Sequence, residues 1–233
     1  MLSIVIPTLN AADTLPAALD ALGEGRAAGL EHEIVVSDGG SDDGASKLAE
    51  AAGARVHIGP PGRGRQLADG AAAAGGDWLL FLHADTRLAP GWSSPVRAFM
   101  AAPENRSRAA YFRLAFDDPA AAARLVEAGV RLRCKLFALP FGDQGLLLSR
   151  ALYDEVGGFR GLPLMEDVDM VRRLGRRRLV ALPQRARTSA ERYRRDGWIA
   201  RPMRNLTCLA MYFLGLAPER IDAFYRRARK GGR

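Results

Sequence analysis

Three acidic clusters, each closing an apolar run, are the residues best suited to chemistry: EIVVSDGGSDDG (33–44), WLLFLHADT (78–86) and PLMEDVDM (163–170). A buried strand has no reason to end in unpaired carboxylates, because charge taken out of water is costly unless it is paired or holds a cation. A plain N-cap or turn accounts for any one cluster alone, since Asp and Asn favour both. Three in one chain, two of them beside glycines, point to a polyanionic ligand, a metal and a separate carboxylate base. Such a set suits transfer of a group from a nucleotide diphosphate.

Asp85 is the first candidate ligand for Mg2+ or Mn2+, a cation that bridges two phosphate oxygens and neutralises a leaving diphosphate. In His83-Ala84-Asp85 the histidine lies on the same side of an extended segment. It is either a second ligand, better suited to Mn2+, or a strand-end group that orients Asp85 or touches phosphate. Asp38, Ser41 and Asp42 set acceptors beside the Gly39-Gly40 turn. There they would receive a uracil or guanine N–H and the ribose hydroxyls, glycine allowing close backbone approach.

Glu166 and Asp167 stand where a helix begins, so its dipole favours their ionised forms. An ionised carboxylate can take the proton from an acceptor hydroxyl; Asp169 faces elsewhere on that helix. The loop PPGRGRQ (60–66) lacks the GK[ST] ending of a triphosphate loop. Arg63 and Arg65 could still contact a diphosphate, and Gln66 the nucleotide or sugar, a mobile basic loop being the alternative. Asp143 and Gln144 occupy a Gly-flanked turn and are candidates for binding the donor sugar or the acceptor hydroxyls.

The elements that must position these residues alternate. Apolar runs predict strands over 2–7, 33–37, 55–58 and 77–82, and helices over 14–22, 41–52 and 66–74 lie between them. This β-α-β-α-β-α-β order predicts an α/β fold with a parallel, helix-covered sheet, whose ligands collect at the strands' carboxyl ends. Pro7–Asn10, Asp38–Asp42 and His83–Asp85 all fall there. Beyond, a strand is predicted over 109–116 and a helix over 120–136, with Leu125, Val126, Val130 and Leu132 inward. A strand over 144–149 and helices over 150–156 and 165–174 follow. Residues 192–211 read as one or two amphipathic helices, with Pro202 limiting continuity.

A chain of 233 residues, 48% hydrophobic and 26% charged, suits one soluble domain with a helical extension. We expect the domain over 1–190 and the extension, packed on it, over 191–233. Cys134 and Cys208 belong to no CxxC pair, so a reducing, cytoplasmic compartment is expected. MLSIVIPTLN reads directly as a strand, so no signal peptide is expected. The longest apolar candidate, Leu206 to Ala217, is about half a membrane span.

The net charge of +8 is concentrated: twelve arginines lie between Arg172 and Arg204 against Glu191 and Asp196 alone. That block attracts phosphates or is a solvated basic face. It does not make the chain a nucleic-acid binder, because no stacking platform, helix-turn-helix or zinc pattern accompanies it. Ile199, Met203, Leu206, Phe213 and Leu216 recur at helical spacing beside the arginines. We read them as packed on the domain or on a second subunit, with an anionic lipid surface as the alternative.

Taken in order, SIVIPTLN, VVSDGGSDDG, the strand ending in HAD, GLLLSRALYDEVGGF and the ED of LMEDVDM resemble a family 2 inverting glycosyltransferase over about residues 1–175. The resemblance implies the GT-A fold, a mostly parallel Rossmann-like sheet with helices on both faces, here followed by C-terminal amphipathic helices. It implies that Pro7, Thr8, Asn10, Asp38 and Asp42 line the nucleotide site, that Asp85 binds metal and diphosphate, and that Asp167 is the base. A finer likeness, through GRGRQLADGAAAAGGDWLLFLHADT, FGDQG and RYRRDGWIARPMRN…YFLGLAPERI, is to the small bacterial subgroup of arsenosugar-biosynthesis glycosyltransferases. It covers nearly the whole chain. The chain departs from the common family pattern at His83, where an aspartate is usual, so DxD becomes HxD. The expected function is sugar transfer from a UDP- or GDP-sugar to a small-molecule or lipid-linked hydroxyl acceptor.

Overall fold

In the computed structural model the described residues are 1–230, so the last three of the expected 191–233 extension lie outside the described residues. Strand β1 (Leu2–Thr8) shows why the sheet must be covered twice. Leu2, Ile4 and Ile6 are fully buried in one apolar layer, and Val5, pointing the other way, is fully buried in a second. A period-2 strand that is apolar on both faces needs helices on both.

The first half follows the expected alternation: α1 (Leu15–Ala27), β2 (His32–Asp38), α2 (Ala45–Ala51), β3 (Arg55–Ile58), α3 (Arg63–Ala73) and β4 (Trp78–Phe81). Strands β3, β2, β1 and β4 lie side by side and parallel. Helix α3 begins at Arg63, so most of the loop expected to be mobile is its first turn.

The next elements are β5 (Thr86–Leu88), α4 (Ser93–Ala101), β6 (Ala109–Phe116), α5 (Ala121–Phe137), β7 (Leu146–Ser149), α6 (Arg150–Glu155), α7 (Glu166–Leu174) and β8 (Leu179–Thr188). They extend the sheet to eight strands in the order β3-β2-β1-β4-β7-β6-β8-β5. Strand β7 runs antiparallel to β4 and β6, and β5 antiparallel to β8. The sheet is therefore mixed in this half. Strands β5 and β8 and helix α4 were not expected from the sequence. Strand β8 buries Leu182, Ala186 and Thr188 and turns Arg185 and Arg187 outward. Its Pro183 falls where pairing with β6 shifts register, a place where a missing N–H is tolerated.

Helices α8 (Glu191–Asp196), α9 (Ala200–Phe213) and α10 (Pro218–Lys230) close the chain. Pro202 is accommodated because it lies in the first turn of α9. Cys208, Leu209 and Ile221 from α9 and α10 pack with Val168 and Val171 of α7. On α5 the inward expectation holds for Val126 and Val130, which pack beside Ala123 and Trp198. It fails for Leu125 and Leu132, which are 75% and 55% exposed. Their positions fall on the opposite side of the 3.6-residue period from the buried Ala123, Glu127 and Cys134.

Candidate active site

The ends of β1, β2 and β4 lie on one edge, and their loops are tied to one another. Asn10, in the left-handed region at φ 51°, donates its N–H to Ser41 Oγ at 2.9 Å. Its side-chain oxygen accepts the Asp42 N–H at 3.0 Å. Asp38 is buried beneath this junction, its carboxylate accepting from the Ser41 N–H and hydroxyl and from the hydroxyls of Thr8 and Ser46. Asp42 is exposed beside it. Gln66, also buried, donates to the carbonyls of Thr8 at 2.6 Å and Ser37 at 2.9 Å, and so pins α3 across β1 and β2.

Two spaces open at this edge. The larger is a groove of about 1310 Å³ whose walls include Pro7, Thr8, Asn10, Arg63, Gln66, His83, Ala84 and Asp85. The smaller is a cavity of about 140 Å³ reached by Asp143, Glu166 and Asp167, with Tyr193 and Arg201 from the C-terminal helices. Arg63, His83, Asp85, Leu164, Ser189, Arg192 and Tyr225 line both. His83 and Asp85 thus mark the passage from one space to the other.

Asp167 is held by two backbone donors, Gly142 N–H at 2.8 Å and Val168 N–H at 2.7 Å. The residue before this pair, Met165, is left-handed at φ 67°, a costly conformation for a side chain of its size, and it starts α7 toward the cavity. Gly142 serves a second purpose. A Cβ there would stand 2.5 Å from His83 Nε2, so only glycine lets the imidazole lie against this turn.

Charge within the cavity is arranged unevenly. Glu166 is 2% exposed and pairs with Arg63 at 3.4 Å. Burial pushes its carboxyl up to about 7, against the pull of Arg63. The expectation that the helix dipole keeps it ionised is therefore corrected, because desolvation outweighs the dipole at this depth. Asp143 is likewise pushed up to about 6, mainly by burial, and its Oδ1 is buried with no hydrogen-bond partner. His83 is driven down to about 4 by burial and by the Arg63 charge, so its imidazole is neutral near pH 7. Asp85 has Arg192 of α8 at 3.7 Å.

These residues suit a divalent cation in one specific way. A neutral imidazole, the Asp85 carboxylate and the unpartnered Asp143 oxygen line one cavity. Among the described residues no three His, Cys, Asp or Glu side chains converge into a complete cage. An ion held by one or two protein ligands and completed by substrate phosphates needs no such cage.

Five expected residues line neither space: Asp38, Ser41 and Asp42 lie in the junction beneath the groove, with Asp38's carboxylate taken up by protein donors, and Arg65 and Gln144 lie elsewhere. Arg65 points away from both spaces and pairs with Asp69 at 3.6 Å, leaving Arg63 as the loop's arginine at the site. Gln144 is 2% exposed and spent inside the fold, donating to the Phe112 carbonyl at 3.0 Å and accepting from Arg133. Sequence reading missed Arg192, Tyr193, Arg201 and Tyr225 as site residues. For Arg192, Tyr193 and Arg201 the signal was the run ERYRRDGWIAR, which reads as part of the arginine block.

Comparison with known proteins places this geometry. The profile described as Glycosyl transferase family 2 matches residues 3–161. PGL/p-HBAD biosynthesis glycosyltransferases of Mycobacterium tuberculosis and Mycobacterium bovis are 40% identical over 102 residues. That match covers 38% of this chain and only 36% of the relatives' length. Glucosyl-3-phosphoglycerate synthase from Mycobacterium tuberculosis, solved with Mn2+ and UDP-glucose, superposes with a TM-score of 0.58 at 22% identity, covering 81% of this chain and 69% of that one. Staphylococcus aureus TarS superposes with a TM-score of 0.63 at 16% identity, covering 96% of this chain and 42% of that one. The shared fold bears out the expected GT-A architecture.

Proposed function

Because the chain belongs to glycosyl transferase family 2, we propose that it is an inverting glycosyltransferase moving a sugar from a UDP- or GDP-sugar to a hydroxyl acceptor. One observation carries this reading: the groove and the cavity meet at His83, Asp85 and Arg63, with Asp167 on the cavity side. A nucleotide in the groove would bring its diphosphate to that passage and its sugar to the mouth of the cavity.

In this reading Pro7, Thr8, Asn10 and Gln66 form walls of the nucleotide groove. Asp38, Ser41 and Asp42 shape its base-side rim through the Asn10 junction. Asp85, with His83, would hold Mn2+ or Mg2+, which supplies positive charge to the diphosphate oxygens; Mn2+ is present in the glucosyl-3-phosphoglycerate synthase complex. Arg63 and Arg192 add fixed cations at the same passage. Asp167 takes the acceptor's hydroxyl proton while the acceptor oxygen forms its bond to the anomeric carbon. The bond to the diphosphate breaks on the opposite face and its electron pair leaves with the diphosphate. Glu166, largely protonated below about pH 7, does not compete for this proton; it fixes Arg63.

Residues 1–190 would form the GT-A domain and 191–233 an extension supplying one wall of the acceptor cavity. A cavity of about 140 Å³ suits a small acceptor, and the likeness of GRGRQLADG and FGDQG to the arsenosugar subgroup supports synthesis of such a glycoside in the cytoplasm. A lipid-linked acceptor is the second reading, favoured by large apolar side chains exposed on α9.

The test is release of nucleoside diphosphate from UDP- and GDP-sugars in the presence of small hydroxyl acceptors. Asp167→Asn should lower kcat by about 10²–10⁴-fold, the usual worth of a general base, with nucleotide binding unchanged. Wild-type turnover by the variant would remove Asp167 as the base.

A further inference from the structure

Helix α9 carries large apolar side chains on its outer face as well as its inner one. Its buried face carries Arg201, 7% exposed, together with Cys208, and Arg204 is largely enclosed where it pairs with Asp196. Its outer face carries Ile199, immediately before its first residue, then Met203, Leu206 and Phe213, which are 80%, 57%, 52% and 50% exposed. An amphipathic helix ordinarily buries its apolar stripe. Here the inward face sets Arg201 and Arg204 beside the apolar Cys208 and Leu209, and a further apolar stripe is left outside.

Helix α5 repeats the pattern. Leu125, Leu132 and Leu136 follow one another along its outer face, and Phe137 ends it, all at least half exposed. Nine of the fourteen exposed large apolar side chains among the described residues lie on these two helices and their flanking residues. That concentration is not the scatter of single apolar residues normal on a surface.

The two helices share partners at both ends. Trp198, one residue before Ile199, joins the cluster that Val126 and Val130 pack against on the inner side of α5. At the other end, Arg172 stacks over Phe213 at 5.0 Å, while Arg176, one turn further on, donates to the carbonyls of Lys135 and Leu136. The same residues set the charge. Exposed Arg131, Lys135, Arg172, Arg176 and Arg177 border the stripes. Helix α9 has no acid, and the one acid of α5, Glu127, is buried.

We propose that the outer faces of α5 and α9 form a docking surface for an anionic lipid bilayer, with the apolar side chains entering the interface and the cations meeting lipid phosphates. Charge selects this occupant. A second copy laid face to face would oppose two rims of like charge, whereas anionic headgroups complement one. No helix is long and apolar enough to cross a membrane among the described residues, so the contact is interfacial. The surface does not depend on which acceptor the cavity takes.

Flotation of the full chain tests it, without nucleotide, on vesicles of phosphatidylcholine containing phosphatidylglycerol and on phosphatidylcholine alone. Binding is expected to the anionic vesicles only, falling with salt. The double variant Leu132→Glu/Met203→Glu should lose about tenfold or more of that binding, since both buried apolar contact and charge attraction are removed. Both sites are solvent-exposed, so its melting temperature and any nucleotide-dependent stabilisation should match wild type. No flotation on anionic vesicles, or equal flotation of the variant, would overturn the proposal. So would light scattering that shows a dimer dispersed by the double variant, because a second copy would then cover the face.

Discussion

Two carboxylates adjacent in sequence differ in the cavity because of what surrounds each. Asp167 receives two backbone N–H groups and lines the cavity. Glu166, its neighbour in sequence, is turned into the protein beside Arg63. Its raised pKa has a measurable consequence. The folded chain holds a proton on Glu166 up to about 7, whereas the unfolded chain releases it near 4.5, so between these values the folded state binds more protons. Stability relative to Glu166→Gln is therefore greatest below about pH 4.5, declines as pH rises to about 7, and is level above that. Urea melts of both proteins in chelator across this range check the sign; a pH-independent gap would contradict the buried environment. That His83 and Asp85 line the site was legible from residue type and strand-end position, and that Asp167 does from its place at a helix start. The internal roles of Gln144 and Glu166 were not, because side-chain direction at a turn or helix start depends on tertiary packing that the sequence does not display.

Elements were legible where burial imposed a simple pattern. Strands β1, β2 and β4 read directly because both faces are largely apolar and buried, and the short edge strand β3 from its place in the alternation. Strand β8 did not: its alternation of buried Leu182, Ala186 and Thr188 with outward Arg185 and Arg187 is hidden inside an arginine-rich run. Helix α9 misled for the opposite reason, since its apolar stripe is regular but faces outward. Contact between elements also decides what substitutions cost. In α3, a Cβ at Gly70 would lie 2.5 Å from Val5 Cγ1 and 3.2 Å from Ser37 Cβ, with Val5 fully buried in β1. Gly→Ala within a helix normally gains up to about 1 kcal/mol. Overpacking a rigid core costs about 1–3 kcal/mol, so Gly70→Ala should destabilise by a net kcal/mol or two, on the order of these terms. A more stable variant in denaturant melts would show that α3 can lift from the sheet.

At the scale of the whole molecule, the mixed sheet gathers the groove and the cavity along one edge, and the C-terminal helices supply walls to both. Arg192, Tyr193, Arg201 and Tyr225 reach the cavity from a segment distant in sequence from Asp85. This explains why the acceptor side was not legible. It also makes the site one cooperative unit, in which donor binding should stabilise the entire fold. Nucleotide-dependent thermal stabilisation is the most direct test of that account, measured with UDP and GDP, with and without Mn2+ or Mg2+, in wild type and Asp85→Ala. Ligand at a hundred times its Kd adds about 2.7 kcal/mol to the native state, enough to raise Tm by several degrees. The predicted result is a shift with one of the two nucleotides that grows with metal in wild type and loses its metal dependence in Asp85→Ala. No shift with either nucleotide, or an undiminished metal effect in Asp85→Ala, would contradict the placement of the diphosphate at the passage between groove and cavity.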